Sequence, residues 1–212
     1  MNLIKSTGTF GFYTIISRIL GYFRDIMIAV FLGTSFLADV FFVAFRIPNT
    51  FRRLFAEGTF NAAFVPNYTS KLIKGKNQSN KFANEVFNIL FLILLILTLV
   101  AQIFMPGLVG LLAPGFVENS EKIELATKLT RITFPFLMLV CLSSFFSAIL
   151  NSHNKFAAAS AAPIILNVVL IVVLLFGKFL NDELVYYLSY GVSLGGLIQL
   201  IFLYKFVIKH YS

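Results

Sequence analysis

Long apolar runs separated by short polar segments dominate the chain and predict membrane-spanning helices. The clearest run, VFNILFLILLILTLVAQIFM at residues 86–105, has no charged residue and matches the roughly 20 residues that cross a hydrocarbon core. Five further runs have similar or greater length, so that six spans are predicted at about residues 10–33, 36–66, 86–105, 132–150, 157–176 and 184–204. The pattern therefore predicts an all-α, polytopic membrane protein, a bundle of six transmembrane helices.

The first span differs from the last four spans because charged residues interrupt it. On a helix its polar residues share a face about 120° wide, and this face includes Arg18, Arg24 and Asp25. An arginine near the bilayer centre costs about 2.5–3.5 kcal/mol on insertion scales. Two arginines on one face therefore predict ionic partners or a water-filled cavity inside the membrane.

The second span carries charge in the same way and also contains a proline. On an unbroken helix, four charged residues would lie within about 40° of one another, namely Asp39, Arg46, Arg53 and Glu57. Pro48 predicts a kink or break near residues 46–50, which is tolerated at membrane depth where the backbone lines a cavity. The alternative is that Arg52, Arg53 and Glu57 form an interfacial ion-pair cluster with a purely structural role.

A cationic cavity within a membrane favours an anionic ligand. Guanidinium groups are planar, and their paired N–H donors match phosphate oxygens in bidentate contacts. Without such a ligand, mutual repulsion of the arginines would oppose closure of the cavity around them. A phosphate-bearing substrate that crosses the membrane therefore explains both the depth and the sign of the charge.

Composition agrees with a membrane protein and narrows the function classes. Apolar residues make up 58% of the chain, charged residues only 12%, and the mean hydropathy is +0.88. The net charge of +8 could indicate a nucleic-acid partner, but no nucleic-acid-binding motif accompanies it. Cys141 is the only cysteine, so no intrachain disulfide, metal site or cofactor is predicted. His153 and His210 lie in predicted cytoplasmic segments without a catalytic arrangement, and the protein is not predicted to be an enzyme.

Lysine is concentrated in alternate connections, which predicts the orientation. The segments before the first span, between the second and third, between the fourth and fifth, and after the sixth contain Lys5, Lys71, Lys74, Lys76, Lys81, Lys155, Lys205 and Lys209. Cytoplasmic loops are enriched in lysine and arginine. Both termini are therefore predicted to be cytoplasmic.

Five motifs carry a family resemblance, namely SRILGYFRD at 17–25, ADVFFVAFRIPNTFRRLFAEGTFNAAFVP at 38–66, APGF at 113–116, ITFPF at 132–136 and AILNSHNKF at 148–156. They resemble the N-terminal part of the MurJ (MviN) family of lipid II flippases, within the multidrug/oligosaccharidyl-lipid/polysaccharide exporter superfamily. The resemblance implies a bacterial inner-membrane protein that moves lipid II, an undecaprenyl-pyrophosphate-linked precursor of peptidoglycan, from the cytoplasmic to the periplasmic leaflet by alternating access. Besides lipid II, it implies contacts with membrane lipids.

The resemblance also implies site residues and a missing partner. The implied substrate-binding residues are Arg18, Arg24, Asp25, Asn49, Arg52 and Arg53, and the implied gating or cavity residues are Asp39 and Glu57. Family members are much longer and have two similar lobes, so residues 1–212 are expected to form the N-terminal lobe. Transport would then require the second, C-terminal lobe.

Four other functions fit parts of the pattern. An exporter of another lipid-linked oligosaccharide would use the same architecture, as would a multidrug exporter, although organic cations call for an acidic and aromatic cavity. An anion channel could use rings of arginine, but nothing in the sequence marks a continuous pore. A non-transporting scaffold would leave Arg18 and Arg24 without a role.

Overall fold

The computed structural model describes the backbone of residues 3–56, 59–177 and 183–211, and the side chains of residues 8–51, 60, 62–177 and 183–209. Every regular element in these residues is helical, which confirms the all-α prediction. The helices are α1 (Leu3–Leu32), α2 (Phe36–Ala56), α3 (Thr59–Lys74), α4 (Lys76–Ile103), α5 (Met105–Leu112), α6 (Ser120–Thr133), α7 (Pro135–Ser152), α8 (Phe156–Leu175) and α9 (Leu184–Tyr211), with a short 3-10 turn at Pro114–Phe116.

Four stretches of the described residues are long and apolar enough to cross a membrane. They are Lys76–Ile103, Ser120–Ser152, Phe156–Leu175 and Leu184–Lys209, and they overlap the last four predicted spans. The first two predicted spans are more polar, and the second is divided between α2, which ends at Ala56, and α3, which begins at Thr59. A total of six spans therefore stays a prediction.

The helices pack around α7, which contacts α2, α3, α4, α6, α8 and α9. One apolar cluster contains Ile28, Val109 and Leu184, and a second contains Tyr68, Leu150 and Val207. The second cluster brings together the segments 71–81, 151–156 and 205–209, which we call the lysine end of the bundle. The lysine-bearing connections that the sequence assigns to one side of the membrane thus lie at one end of the molecule.

Helix α2 continues through Pro48, so that of the kink or break predicted at residues 46–50 the break is not found. A proline cannot donate a hydrogen bond to the carbonyl four residues earlier, which here belongs to Ala44. That carbonyl instead accepts a hydrogen bond from Thr133 Oγ1 at 2.6 Å. Both residues are buried, and this contact from α6 replaces the bond that the proline removes.

A side chain also replaces a lost helical donor at the boundary between α6 and α7. Pro135 leaves the carbonyl of Arg131 without its helical donor, and Gln102 Nε2 of α4 donates to that oxygen at 2.8 Å. Neighbouring side chains therefore satisfy freed backbone carbonyls at two prolines, as the absence of water in a bilayer requires.

Close packing of α8 against α9 depends on glycine. A Cβ atom at Gly195 would lie 2.8 Å from Leu166 Cδ1 and 3.3 Å from the Leu166 Cα atom. Small residues let membrane helices approach closely. This approach fixes α8, the helix on which α1 mainly packs.

Candidate anion-binding cavity

Arg24 is held in place by groups on α1, α2 and α8. Its Nη1 donates to Asn167 Oδ1 at 2.7 Å, and its Nε and Nη2 donate to Asp25 Oδ1 at 3.0 and 2.7 Å. The guanidinium carbon lies 5.5 Å from the centroid of the Phe45 ring, within the range of a cation–π contact. These contacts fix the plane of the guanidinium group, whose side chain is 13% exposed.

Asn167 connects this arginine to the backbone of α1. Its Nδ2 donates to the carbonyl oxygen of Ser17 at 2.9 Å while its Oδ1 accepts from Arg24. Asn167 is buried on α8, and both sides of its amide are therefore used to hold α1. The pairing of α1 with α8 is a polar as well as an apolar contact.

Arg24 faces a cavity of about 400 Å³ between α1, α2, α7, α8 and α9. Its polar lining consists of Arg24, Asn49, Ser144, Ser147, Asn167 and Gln199, and its apolar lining of Phe45, Phe136, Val140, Ala159, Pro163 and Leu166. Arg24 is the one charged residue among these described lining residues. The cavity therefore combines a positive charge with neutral hydrogen-bonding groups, an arrangement that suits an anion.

The bound partners of Arg24 leave it able to contact such an anion. A guanidinium group has five N–H donors, and the contacts with Asp25 and Asn167 use three of them. The other two N–H donors have no hydrogen-bond partner among the described residues. Asp25 offsets the positive charge of Arg24 only partly, because the Asp25 side chain is 58% exposed and solvent screens its charge.

The structure brings together only some of the residues that the sequence predicts for the site. Arg24 and Asn49 line the cavity, and Asp25 contacts Arg24 from its edge. Arg18 lies on the exposed surface of α1 and does not line it. The side chains of Arg52 and Arg53, and all of Glu57, lie outside the described residues. A substrate-binding role for the whole set stays a prediction.

Asp39, predicted as a gating or cavity residue, lies elsewhere. Its Oδ2 accepts a hydrogen bond from Lys122 Nζ at 2.8 Å, which joins the start of α2 to the start of α6. It is not among the residues that line the cavity. This ion pair lies at the end of the bundle opposite the lysine end, next to the connections rich in glutamate.

Apart from Asn49, sequence reasoning missed the neutral polar residues of the cavity. Asn167 and Gln199 are both buried, and each sits in an apolar run without a charged residue. A lone amide in a membrane-spanning run is costly unless it is hydrogen-bonded, and this cost was the available signal. Ser144 gave no such signal, because its hydroxyl bonds the Val140 carbonyl of its own helix.

The membrane-length helices and the polar cavity at Arg24 define a multi-pass membrane protein. Residues 28–212 match the model of the family described as lipid II flippase MurJ. The chain belongs to this family.

Individual relatives and a solved structure agree with this assignment. A Rhizobium tropici protein named "Probable lipid II flippase MurJ" is 43% identical over 209 residues, which cover 96% of this chain and 39% of the relative. A Rickettsia prowazekii protein of the same name is 40% identical over 210 residues, covering 99% and 41%. The structure titled "Lipid II flippase MurJ, inward closed conformation" is 31% identical with a TM-score of 0.81, covering 94% of this chain and 42% of that one. The chain thus spans about two fifths of the length of the relatives it matches.

Proposed function

We propose that the chain is the N-terminal lobe of a lipid II flippase, which moves the undecaprenyl-pyrophosphate-linked peptidoglycan precursor from the cytoplasmic to the periplasmic leaflet of the bacterial inner membrane. Family membership and the names of the relatives support this proposal. Because the chain spans about two fifths of those relatives, transport is proposed for the chain together with the further segment that they contain. No bond is broken in this process, so the proposed activity is not enzymatic.

The observation that carries the proposal is the fixed Arg24 at the cavity. Asn167 and Asp25 hold the guanidinium group, and its other two N–H donors have no partner among the described residues. A pyrophosphate has oxygens with the spacing and charge for such a bidentate contact. Asn49 and Gln199 add neutral polar groups on neighbouring helices. We propose that the pyrophosphate binds there with the polyprenyl tail in lipid. Further contacts from Arg18, which is exposed on α1 outside the cavity, and from Arg52 are proposed from the sequence alone.

The proposed mechanism is alternating access between this lobe and the rest of the flippase. Bound pyrophosphate neutralises the cationic cavity, which allows the cytoplasmic side to close and the periplasmic side to open. The membrane potential acts on each elementary charge by about 2.3 kcal/mol per 100 mV, and an inside-negative potential favours return of the empty cationic site. Discharging the potential should therefore slow translocation in vesicles, and an unchanged rate would refute this part of the mechanism.

The lysine end of the bundle supports a cytoplasmic position for both termini. Lys71, Lys81 and Lys155 are exposed there, as expected for loops retained in the cytoplasm. Labelling of single introduced cysteines at Asn77 and Glu118, after Cys141→Ala, tests this orientation. An impermeant reagent added to intact cells should modify Glu118→Cys and leave Asn77→Cys unmodified.

The main experiment compares arginines inside and outside the cavity in a complete flippase that carries this segment. Arg24→Ala should abolish growth of cells depleted of their own flippase, because it removes the charged donors of the cavity. Arg24→Lys separates charge from geometry and should restore growth only partly, since lysine cannot make the same planar contacts. Arg131→Ala is the matched control, because Arg131 is exposed on α6 outside the cavity.

Normal growth of the Arg24→Ala cells, with the protein present at wild-type level, would remove the proposed role of this cavity. An exporter of another lipid-linked oligosaccharide predicts a different outcome. In that case purified protein in vesicles would move that lipid and fail to move lipid II. A multidrug exporter would instead change the resistance of cells to organic cations. The positive charge of Arg24 does not favour binding of such cations in the cavity.

A further inference from the structure

A second cavity lies at the lysine end, away from Arg24. It has a volume of about 490 Å³ and opens between α4, α7 and α9. Its lining is Ala83, Asn84, Phe87, Phe145, Phe146, Ile149, Tyr204, Val207 and Ile208, and we call it the aromatic groove. None of these residues lines the cavity at Arg24. The groove is therefore a separate feature that the proposed transport mechanism does not use.

The groove is apolar, rigid and open to the outer surface of the bundle. Phe146 is at its centre, with ring centroids 5.8 Å from Phe87 and 5.5 Å from Tyr204. Phe146 is buried, whereas Tyr204 and Ile208 are about half exposed. Packed aromatic side chains give the floor a fixed shape. Its volume is within the range of pockets that take a small ligand, and an apolar chain fits its lining.

Cationic residues lie next to the groove-lining residues at the lysine end of the bundle. Lys205 and Lys209 each directly follow a lining residue of α9, and Lys81 precedes the lining residues of α4 by less than one turn. All three lysines are exposed. Glu85, the nearby acidic residue on α4, likewise directly follows a lining residue, Asn84, and lies four residues after Lys81 on the same face of the helix, so it offsets one of the three positive charges. The edge of the groove is therefore net positive.

We propose that the aromatic groove binds an anionic phospholipid of the cytoplasmic leaflet, with an acyl chain on the phenylalanines and the phosphate beside the three lysines. Apolar contact and charge complementarity together identify this ligand. A zwitterionic lipid could fill the groove equally well but would gain less from the lysines. The inference does not rest on the proposed transport of lipid II, since neither Arg24 nor its cavity takes part.

The chain has no tryptophan, which makes a direct test possible. Tyr204→Trp places a single fluorophore at the groove, and Ile208→Trp is a second probe of the same site. Ile89→Trp is the control, because Ile89 is 61% exposed and lies two residues from Phe87, on the opposite face of α4. Each protein is placed in phosphatidylcholine vesicles containing brominated phosphatidylglycerol or brominated phosphatidylcholine, and quenching is measured against mole fraction.

We expect the groove probes to show at least about a fivefold preference for phosphatidylglycerol, and the Ile89→Trp control to show none. Replacing Lys81, Lys205 and Lys209 together with glutamine should remove the preference. Replacing the three lysines with arginine should keep the preference, and it is the control that a protein with three substitutions at this surface still folds.

Three results would overturn the proposal. Equal quenching by both lipids at the groove would exclude charge recognition. Weak quenching by both lipids, relative to Ile89→Trp, would mean that protein covers the groove. Loss of the preference on adding undecaprenyl phosphate at low mole fraction would assign the groove to a polyprenyl chain.

Discussion

Helices α7 and α1 show how stability and site chemistry are divided in this bundle. Helix α7 has no charged residue, and most of its side chains are buried, among them Leu137, Phe145 and Leu150. Helix α1 packs mainly against α8, and its described large apolar residues are largely exposed. A helix packed by one face can carry a charged site on its edge, whereas a central helix cannot. Helix α7 is thus the central helix of the core, and α1 supplies the cationic group.

The largest expected effect is a loss of stability, tested by replacing a phenylalanine with alanine once in α7 and once in α1. Phe145 is 2% exposed, and its ring centroid lies 5.1 Å from that of Phe64 and 5.6 Å from that of Phe87. Phe145→Ala should lower the stability by about 3–5 kcal/mol, because it leaves a cavity in the core. Phe23→Ala, at a half-exposed position on α1, should cost far less. Thermal unfolding in detergent measures both, and equal losses would contradict the division between the two helices.

The second prediction concerns the polar contact that joins α1 to α8. Asn167→Leu removes the acceptor of Arg24 and the donor to the Ser17 carbonyl. Hydrogen bonds to charged groups contribute about 1.5–3 kcal/mol, so binding of undecaprenyl pyrophosphate by a complete flippase carrying this segment should weaken about 10- to 100-fold. Ser189→Ala is the control, since it also removes a buried hydrogen bond but lies outside the cavity.

A second substitution separates positioning from structure at this residue. Asn167→Asp keeps an acceptor for Arg24 and adds negative charge beside the proposed anion. It should therefore bind pyrophosphate no better than Asn167→Leu while unfolding at a higher temperature. Wild-type binding by Asn167→Asp would exclude an anion at this position and would leave Asn167 as a packing residue.

The sequence predicted the helices of the bundle better than the contacts between them. Apolar run lengths predicted the helical class, and helical spacing placed Arg24 on a polar face of α1. The same spacing gave Arg18 an equivalent place, but the structure leaves Arg18 exposed. Periodicity defines the faces of a helix without identifying the neighbour of each face. Asn167 entered the site only because α8 packs on α1, a pairing between segments more than 140 residues apart.

The behaviour of Pro48 shows a second limit of sequence reasoning. Local rules predict a kink or break, and they are correct that the Ala44 carbonyl loses its donor. The donor that replaces it, Thr133, is 89 residues away in the chain. The helix is therefore continuous for a tertiary reason, which no local pattern around residues 46–50 contains.

The third prediction tests this replacement by a double-mutant cycle. Thr133→Val removes the hydroxyl while keeping the shape, and should cost about 1 kcal/mol of stability because the Ala44 carbonyl loses its donor. In a Pro48→Ala background the backbone N–H of residue 48 can bond that carbonyl, so that Thr133→Val should cost less. Thermal unfolding of the four proteins gives the coupling. Additive losses would mean that Thr133 and Pro48 act independently.

The smallest expected effect is at the Asp39–Lys122 ion pair, which joins α2 and α6 at the exposed end of the bundle. Asp39 is 63% exposed, and exposed pairs contribute about 0.2–1 kcal/mol, less at high salt. Asp39→Asn should therefore shift the unfolding temperature slightly, and only at low salt. Lys122→Gln should shift it more, because Lys122 Nζ also lies 4.5 Å from the centroid of the Phe116 ring.

The exposed Glu124–Lys128 pair on α6 is the control for a gating role of Asp39. Removing it with Glu124→Gln should have a similarly small effect on stability. If Asp39 gates a complete flippase, Asp39→Asn should also slow translocation while Glu124→Gln does not. Equal translocation rates would assign Asp39 a structural contact alone. The two pairs would then differ only in position, because Asp39–Lys122 joins two helices and Glu124–Lys128 lies within α6.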